Sequence, residues 1–171
     1  TREYYEKLKM LRVHGMEPKY YHKAVGGNFR IDELQAAVIL AKLIHLEDWT
    51  EKRRNNAQRY LRIFQKEMLA EHFELPMEIF PRHIYNQYVV RVKNGKRDAL
   101  QNHLRENNVA CEIYYPVPLH TQECFQYLGY RKGDLPEAER AAEETLALPI
   151  APEITAAQQD YVAEKIKEFY S

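Results

Sequence analysis

At 171 residues, 45% of them hydrophobic, the chain carries enough apolar side chain for one folded core with at most one protruding segment. Lys plus Arg and Asp plus Glu number 25 each, so no charge footprint for nucleic acid or an anionic membrane is present. No apolar run approaches the roughly 20 residues of a membrane span, and the start from Thr1 to Lys7 has no apolar signal region, so a cytoplasmic protein is expected.

The two cysteines, Cys111 and Cys124, lack CxxC spacing, which supports neither a zinc knuckle nor a disulfide framework. Tyrosine is abundant, with 13 residues, and falls in pairs at Tyr4-Tyr5, Tyr20-Tyr21 and Tyr114-Tyr115. Such an amphipathic residue favours interfaces and polar-ligand pockets.

Tyr5, Leu8 and Leu11 read as a helix beginning at the first residue without a cap, an abrupt start that suggests a missing upstream portion. Residues 14 to 30 hold His14-Gly15, Pro18 and Gly26-Gly27, which predicts a loop of a length usually tied to function. Ile31, Leu34, Val38 and Ala41 predict a helix, with Asp32 and Glu33 where the helix dipole favours acids. After a break near His45 to Asp48, the series Trp49, Ala57, Tyr60, Phe64 and Met68 carries the helical period to about residue 70. The interleaved Lys52, Arg53, Arg54, Arg59 and Arg62 read as a solvated face.

Tyr85 to Val92 has strand composition and ends at Asn94-Gly95. A helix from about Arg97 to Glu106 leads to a second strand, Val109 to Tyr114, so a crossover unit with strands of one direction is expected. Pro116 and Pro118 end that strand. A short helix is expected from Gln122 to Leu128, another from Pro136 to Thr145, an extended piece from Leu146 to Ile150, and a final helix from about Ala156 to Tyr170. The fold class is α+β: long helices lead into a small C-terminal domain whose short sheet is covered by helices. The expected division is a helical segment, 1–70, and a small domain, 71–171.

Two segments carry candidate chemistry. In Gly26-Gly27-Asn28-Phe29-Arg30, glycines let backbone amides approach an anion, and Arg30 with the following helix start adds positive potential. Spacing alone favours a plainer reading, in which the glycines turn the chain and Asn28 caps the helix. In Tyr114-Tyr115-Pro116-Val117-Pro118-Leu119-His120, two prolines stiffen a loop that presents phenols and an imidazole, which suits a hydroxylated ligand. A lone loop histidine is more often a structural hydrogen-bonder, and that applies to His120 as to His14, His22 and His83.

These segments, with Leu11-Arg12-Val13-His14-Gly15, Gln35-Ala36-Ala37, Tyr88 to Val92 and Leu148-Pro149-Ile150, resemble the DegT/DnrJ/EryC1/StrS sugar aminotransferases, which have the type I aspartate-aminotransferase fold. The pieces occur in the family's order over nearly the whole chain. The resemblance implies a C-terminal portion of a pyridoxal-phosphate enzyme that moves an amino group, commonly from glutamate, to a keto group on a nucleotide-linked sugar. It also implies a homodimer, in which Asn28 contacts the phosphate of the partner's cofactor and Arg30 lines the same pocket. Tyr115 and His120 match positions near the sugar nucleotide.

That chemistry needs a lysine that joins the cofactor covalently and shuttles protons in a site that lowers its pKa. Lys7, Lys9, Lys52, Lys66, Lys96, Lys165 and Lys167 fall on presumed solvated helix faces, and Lys23 has nothing nearby to desolvate it. No catalytic residue and no metal ligand is therefore assigned, the chain alone is expected to bind no cofactor, and it is expected to be a fragment. Two alternatives stay open: a non-catalytic interaction or sugar-nucleotide-binding module, and part of a family sibling that dehydrates a sugar, with histidine in place of the lysine.

Overall fold

The computed structural model describes residues 1–171 and is α+β. Its helices are α1 (Arg2–Leu11), α2 (Glu33–Leu43), α3 (Leu46–Lys66), α4 (Arg97–Glu106), α5 (Pro136–Glu144) and α6 (Ala156–Tyr170). The strands are β1 (Phe73–Glu74), β2 (Tyr88–Val92) and β3 (Thr145–Leu148). Two compact units result, Thr1–Leu46 and Glu47–Ser171, so nearly all of α3 lies within the second. No helix is long and apolar enough to cross a membrane.

In the first unit, α2 is capped by Asp32, whose carboxylate accepts the Gln35 N–H at 2.7 Å, with Glu33 in the first turn. Asp32 is thus the cap, and Asn28 is not. Between α1 and α2 the chain folds back on itself: Val13 bridges Asn28 antiparallel, and Met16 bridges His22. His14 N–H donates to Gly27 O at 3.0 Å and Phe29 N–H to Arg12 O at 3.1 Å. The two passes come so close that a Cβ on Gly15 would overlap the Ala24 carbonyl, and one on Gly26 would overlap the Leu11 carbonyl. Gly15 also holds φ +69°, a region costly for other residues.

The second unit contains the core. Ala57, Tyr60 and Phe64 recur at helical spacing along one face of α3 and are buried, as are Leu100 and Leu104 on α4 and Val162 and Ile166 on α6. These helices cover one face of an antiparallel sheet of order β1-β2-β3, in which Phe73 faces Val92 and Val90 faces Leu146. Alternate residues Tyr88, Val90 and Val92 point into the core, the period-2 pattern of a half-covered strand. Each fully buried aliphatic side chain contributes roughly 1.5–3 kcal/mol of transfer free energy. A capping box at Thr155 and Gln158 starts α6.

Two expectations change. Val109 to Tyr114 is no strand: only Glu112 pairs, with Ala147, through hydrogen bonds of 3.1 and 2.8 Å. Both that bridge and the β2–β3 pairing are antiparallel, so the segment runs in the direction of β2 but β3 lies between them. The expected parallel neighbour of β2 is therefore replaced by a strand from later in the chain, and Pro116, which lacks an N–H, stops the segment from lengthening. The basic run on α3 is also more than a solvated face. Arg54 pairs with Glu78 at 3.2 Å and donates to Pro81 O at 3.1 Å, and Arg59 meets both carboxylate oxygens of Asp160 at 2.8 Å, tying α3 to a loop and to α6.

Candidate functional site

The folded-back loop of the first unit ends in an exposed Asn28 and an exposed Arg30, joined by an Arg30 Nε to Asn28 Oδ1 hydrogen bond of 2.9 Å. With the amide oxygen occupied by that donor, the amide NH2 and the guanidinium Nη groups make the pair a source of N–H donors with one fixed positive charge. An oxyanion, above all a phosphate, is the complementary ligand. Gly27 does not add to it directly, because its N–H donates to Leu11 O at 3.0 Å. The glycines' part is to allow the close approach that fixes where Asn28 and Arg30 emerge. His22 Nδ1 lies 2.8 Å from His14 O, so both histidines belong to the loop's own bonding.

In the second unit, Tyr114, Tyr115, Val117 and Leu119 overhang an apolar cavity of about 440 Å³ floored by Val89 of β2 and Ala141 of α5. Tyr115 is 72% exposed and its ring is available to a ligand. His120 is the opposite case. It follows Pro118 in a 3-10 turn, Leu119–Thr121, is buried, and has its Nε2 2.9 Å from Oε1 of Glu139 on α5. The same oxygen accepts the Gly133 N–H at 2.7 Å. The Gly133 amide first, and His120 second, hold the Glu139 carboxyl below its usual value, so it is ionised and can only accept. Nε2 of His120 must then carry the proton. Glu139 was not visible as a site residue in the sequence, since nothing local links it to a histidine 19 positions away.

The chain belongs to the DegT/DnrJ/EryC1/StrS aminotransferase family. The family's model matches residues 2–167. Over 166 residues, 96% of this chain and 44% of the relative, it is 49% identical to the "pleiotropic regulatory protein" of Geobacillus stearothermophilus. A dTDP-3-amino-3,4,6-trideoxy-alpha-D-glucose transaminase of Micromonospora megalomicea is 37% identical over 94% of this chain and 43% of its own. Among solved structures, S. venezuelae DesV superposes with a TM-score of 0.88 at 33% identity, covering 99% of this chain and 44% of that one. The chain thus spans less than half the length of the DegT/DnrJ/EryC1/StrS proteins it matches.

Aminotransferases of this family are pyridoxal-phosphate enzymes. The residues present fit one part of that cofactor and not another. Asn28 and Arg30 suit its phosphate. No lysine in the chain is buried: Lys23 pairs with Glu17 at 3.0 Å in the open, and Lys165 pairs with Glu168 at 2.7 Å, a contact that raises its pKa where an amine that attacks a carbonyl needs it lowered. No group of three or more His, Cys, Asp or Glu side chains is placed to hold a metal ion.

Proposed function

We propose that residues 1–171 act as the C-terminal part of a pyridoxal-phosphate-dependent aminotransferase that moves an amino group from glutamate to a nucleotide-linked keto sugar, in aminosugar or cell-surface polysaccharide biosynthesis. The observation that carries this is the donor pair of Asn28 and Arg30 in a chain with the family's pattern from residue 2 to residue 167. When bound, the cofactor would supply a carbonyl carbon to carry the amino group and a ring to take up the electrons released as a substrate C–H bond breaks. This chain's share is to hold and orient. Asn28 and Arg30 donate to the cofactor phosphate of the neighbouring subunit in a homodimer, Tyr115 meets the sugar nucleotide, and His120 holds the loop that carries Tyr115. Residues 1–70 supply the end of the large domain and the connecting helix, 71–171 forms the small domain, and the enzyme works in the cytoplasm.

Transfer of 15N from labelled glutamate to a dTDP- or UDP-linked keto sugar, followed by mass spectrometry on the full-length protein, tests the reading. Label in the sugar supports it. Unlabelled, intact sugar in the presence of bound cofactor supports the second reading, a binding module without turnover. That reading is favoured by the regulatory name of the Geobacillus relative. Loss of water from the sugar without label uptake points to the dehydratase branch.

A further inference from the structure

Glu139 and His120 form a buried hydrogen bond between a carboxylate and an imidazole N–H. Their side chains are 14% and 4% exposed, and desolvating such a pair costs about as much as its attraction returns. What it adds is direction. A charged acceptor on Nε2 fixes both the tautomer and the plane of the ring, which a methyl group in the same space does not.

The contact also joins three separate pieces of chain. Glu139 stands in the first turn of α5, Gly133 lies in the loop before that helix at φ +99°, and His120 sits in the turn after the proline pair. The Tyr130 ring meets His120 edge-on at 6.3 Å. Thr121 ties back to Pro118 O through its N–H at 3.1 Å and its hydroxyl at 3.0 Å, and Gln122 Nε2 donates to Val117 O at 3.3 Å. The stretch from Tyr114 to Pro118 is thereby anchored at its downstream end, while Tyr115 projects into solvent.

We propose that Glu139 is the positioning residue of this loop: through His120 and the Gly133 amide it fixes where Tyr115 meets the nucleotide-linked sugar, setting affinity for that substrate and not for the amino donor. This rests on the function proposed above. Glu139 touches no substrate itself, so its removal acts on the binding of one substrate.

The test compares Glu139→Ala, which removes the acceptor, with Glu139→Gln, whose amide oxygen accepts the same two N–H groups. In the full-length protein, Glu139→Ala raises KM for the keto sugar about tenfold, with kcat and the glutamate KM within about twofold. Glu139→Gln restores the sugar KM to within about threefold of the parent. In the 171-residue chain, amide exchange at residues 119–122 and Gly133 quickens about tenfold in Glu139→Ala only. His120→Leu fills the same space without the hydrogen bond and shows the alanine pattern should Glu139→Ala not fold. Unchanged exchange in the alanine variant overturns the clasp, and kcat and both KM values moving together overturn the positioning role. Should the parent protein act on no keto sugar, the function reading fails while the exchange result still decides the clasp.

Discussion

Arg30 Nε donates to Asn28 Oδ1 at 2.9 Å, and this one contact converts two exposed polar side chains into a single donor face. An exposed arginine next to an amide would otherwise sample many rotamers, so the hydrogen bond lowers the entropy lost when an anion binds. Arg30→Ala in the full-length protein is expected to raise the dissociation constant of the cofactor about tenfold, and Arg30→Lys to recover only part, because an ammonium lacks the planar fork. Equilibrium dialysis followed by absorbance of retained cofactor measures both. Equal retention in all three proteins would remove Arg30 from the phosphate site.

The lysines give a second expectation. An amine that joins a carbonyl at neutral pH must be partly unprotonated, which burial or a neighbouring cation achieves. Lys165 has a carboxylate partner that moves it the other way, and Lys23 is paired and open to water. Mixing the 171-residue chain with pyridoxal phosphate and then borohydride should leave scattered, substoichiometric labelling in a mass spectrum. One lysine modified to completion would show that the chain carries its own cofactor-bearing amine.

The parts of the fold that were legible are those coded locally. α4 ends where Asn107-Asn108 interrupts the pattern, and α6 starts one residue after Thr155, because breakers and caps act within a few residues of themselves. The sheet was not legible. Whether β3 or the segment holding Glu112 lies beside β2 depends on which covers more apolar surface, and no spacing in the sequence records it. The site divides in the same way. The prolines around Tyr115 announce a stiff loop, but the burial of His120 follows from a carboxylate on a later helix and is invisible to motif reading. The glycine pair offers an anion cradle or a turn by spacing alone, whereas in the fold Gly26 serves a backbone crossing against Leu11.

Core packing makes the second unit's stability sensitive to single side chains. Leu104 is fully buried on α4. Leu104→Ala is expected to lower the unfolding free energy by about 2–5 kcal/mol, and Tyr115→Ala to change it by less than about 0.5 kcal/mol. Urea titration followed by circular dichroism separates them, and comparable losses in the two variants would contradict the assignment of Tyr115 to an exposed loop.

Alkaline pH should expose the buried phenols. Tyr60 and Tyr88 stack with ring centroids 5.2 Å apart, and burial pushes both hydroxyls far above their ordinary range, while burial raises Tyr170 to about 12. In the unfolded chain each ionises near pH 10. A raised folded-state pKa means that the stability linked to these groups is intact below about pH 10 and is lost as pH climbs toward the folded values. Absorbance at 295 nm should therefore show the phenols of Tyr60 and Tyr88 ionising only together with loss of helical signal. A single smooth step for all tyrosines with the helical signal unchanged would be inconsistent with this core.

The first unit poses the opposite problem, because its apolar surface is unburied. α2 is apolar on nearly every face, a composition typical of helices enclosed by protein, yet it holds no buried residue. Leu34 is 77% and Leu40 65% exposed, and Val38, Ile39 and Leu43 are about half exposed, so water meets a continuous hydrocarbon surface. At about 25 cal/mol per Å² of apolar area removed from water, a few hundred Å² covered by another molecule outweighs part of the entropy lost on association. The 171-residue chain is therefore expected to elute earlier from gel filtration as its loading concentration rises. Leu40→Glu places a charge in the middle of that surface, where covering it would leave a carboxylate unpaired, and should abolish the shift while circular dichroism stays unchanged. Earlier elution that persists in Leu40→Glu would move the contact to another face, such as the exposed Ile79 and Phe80 of the second unit.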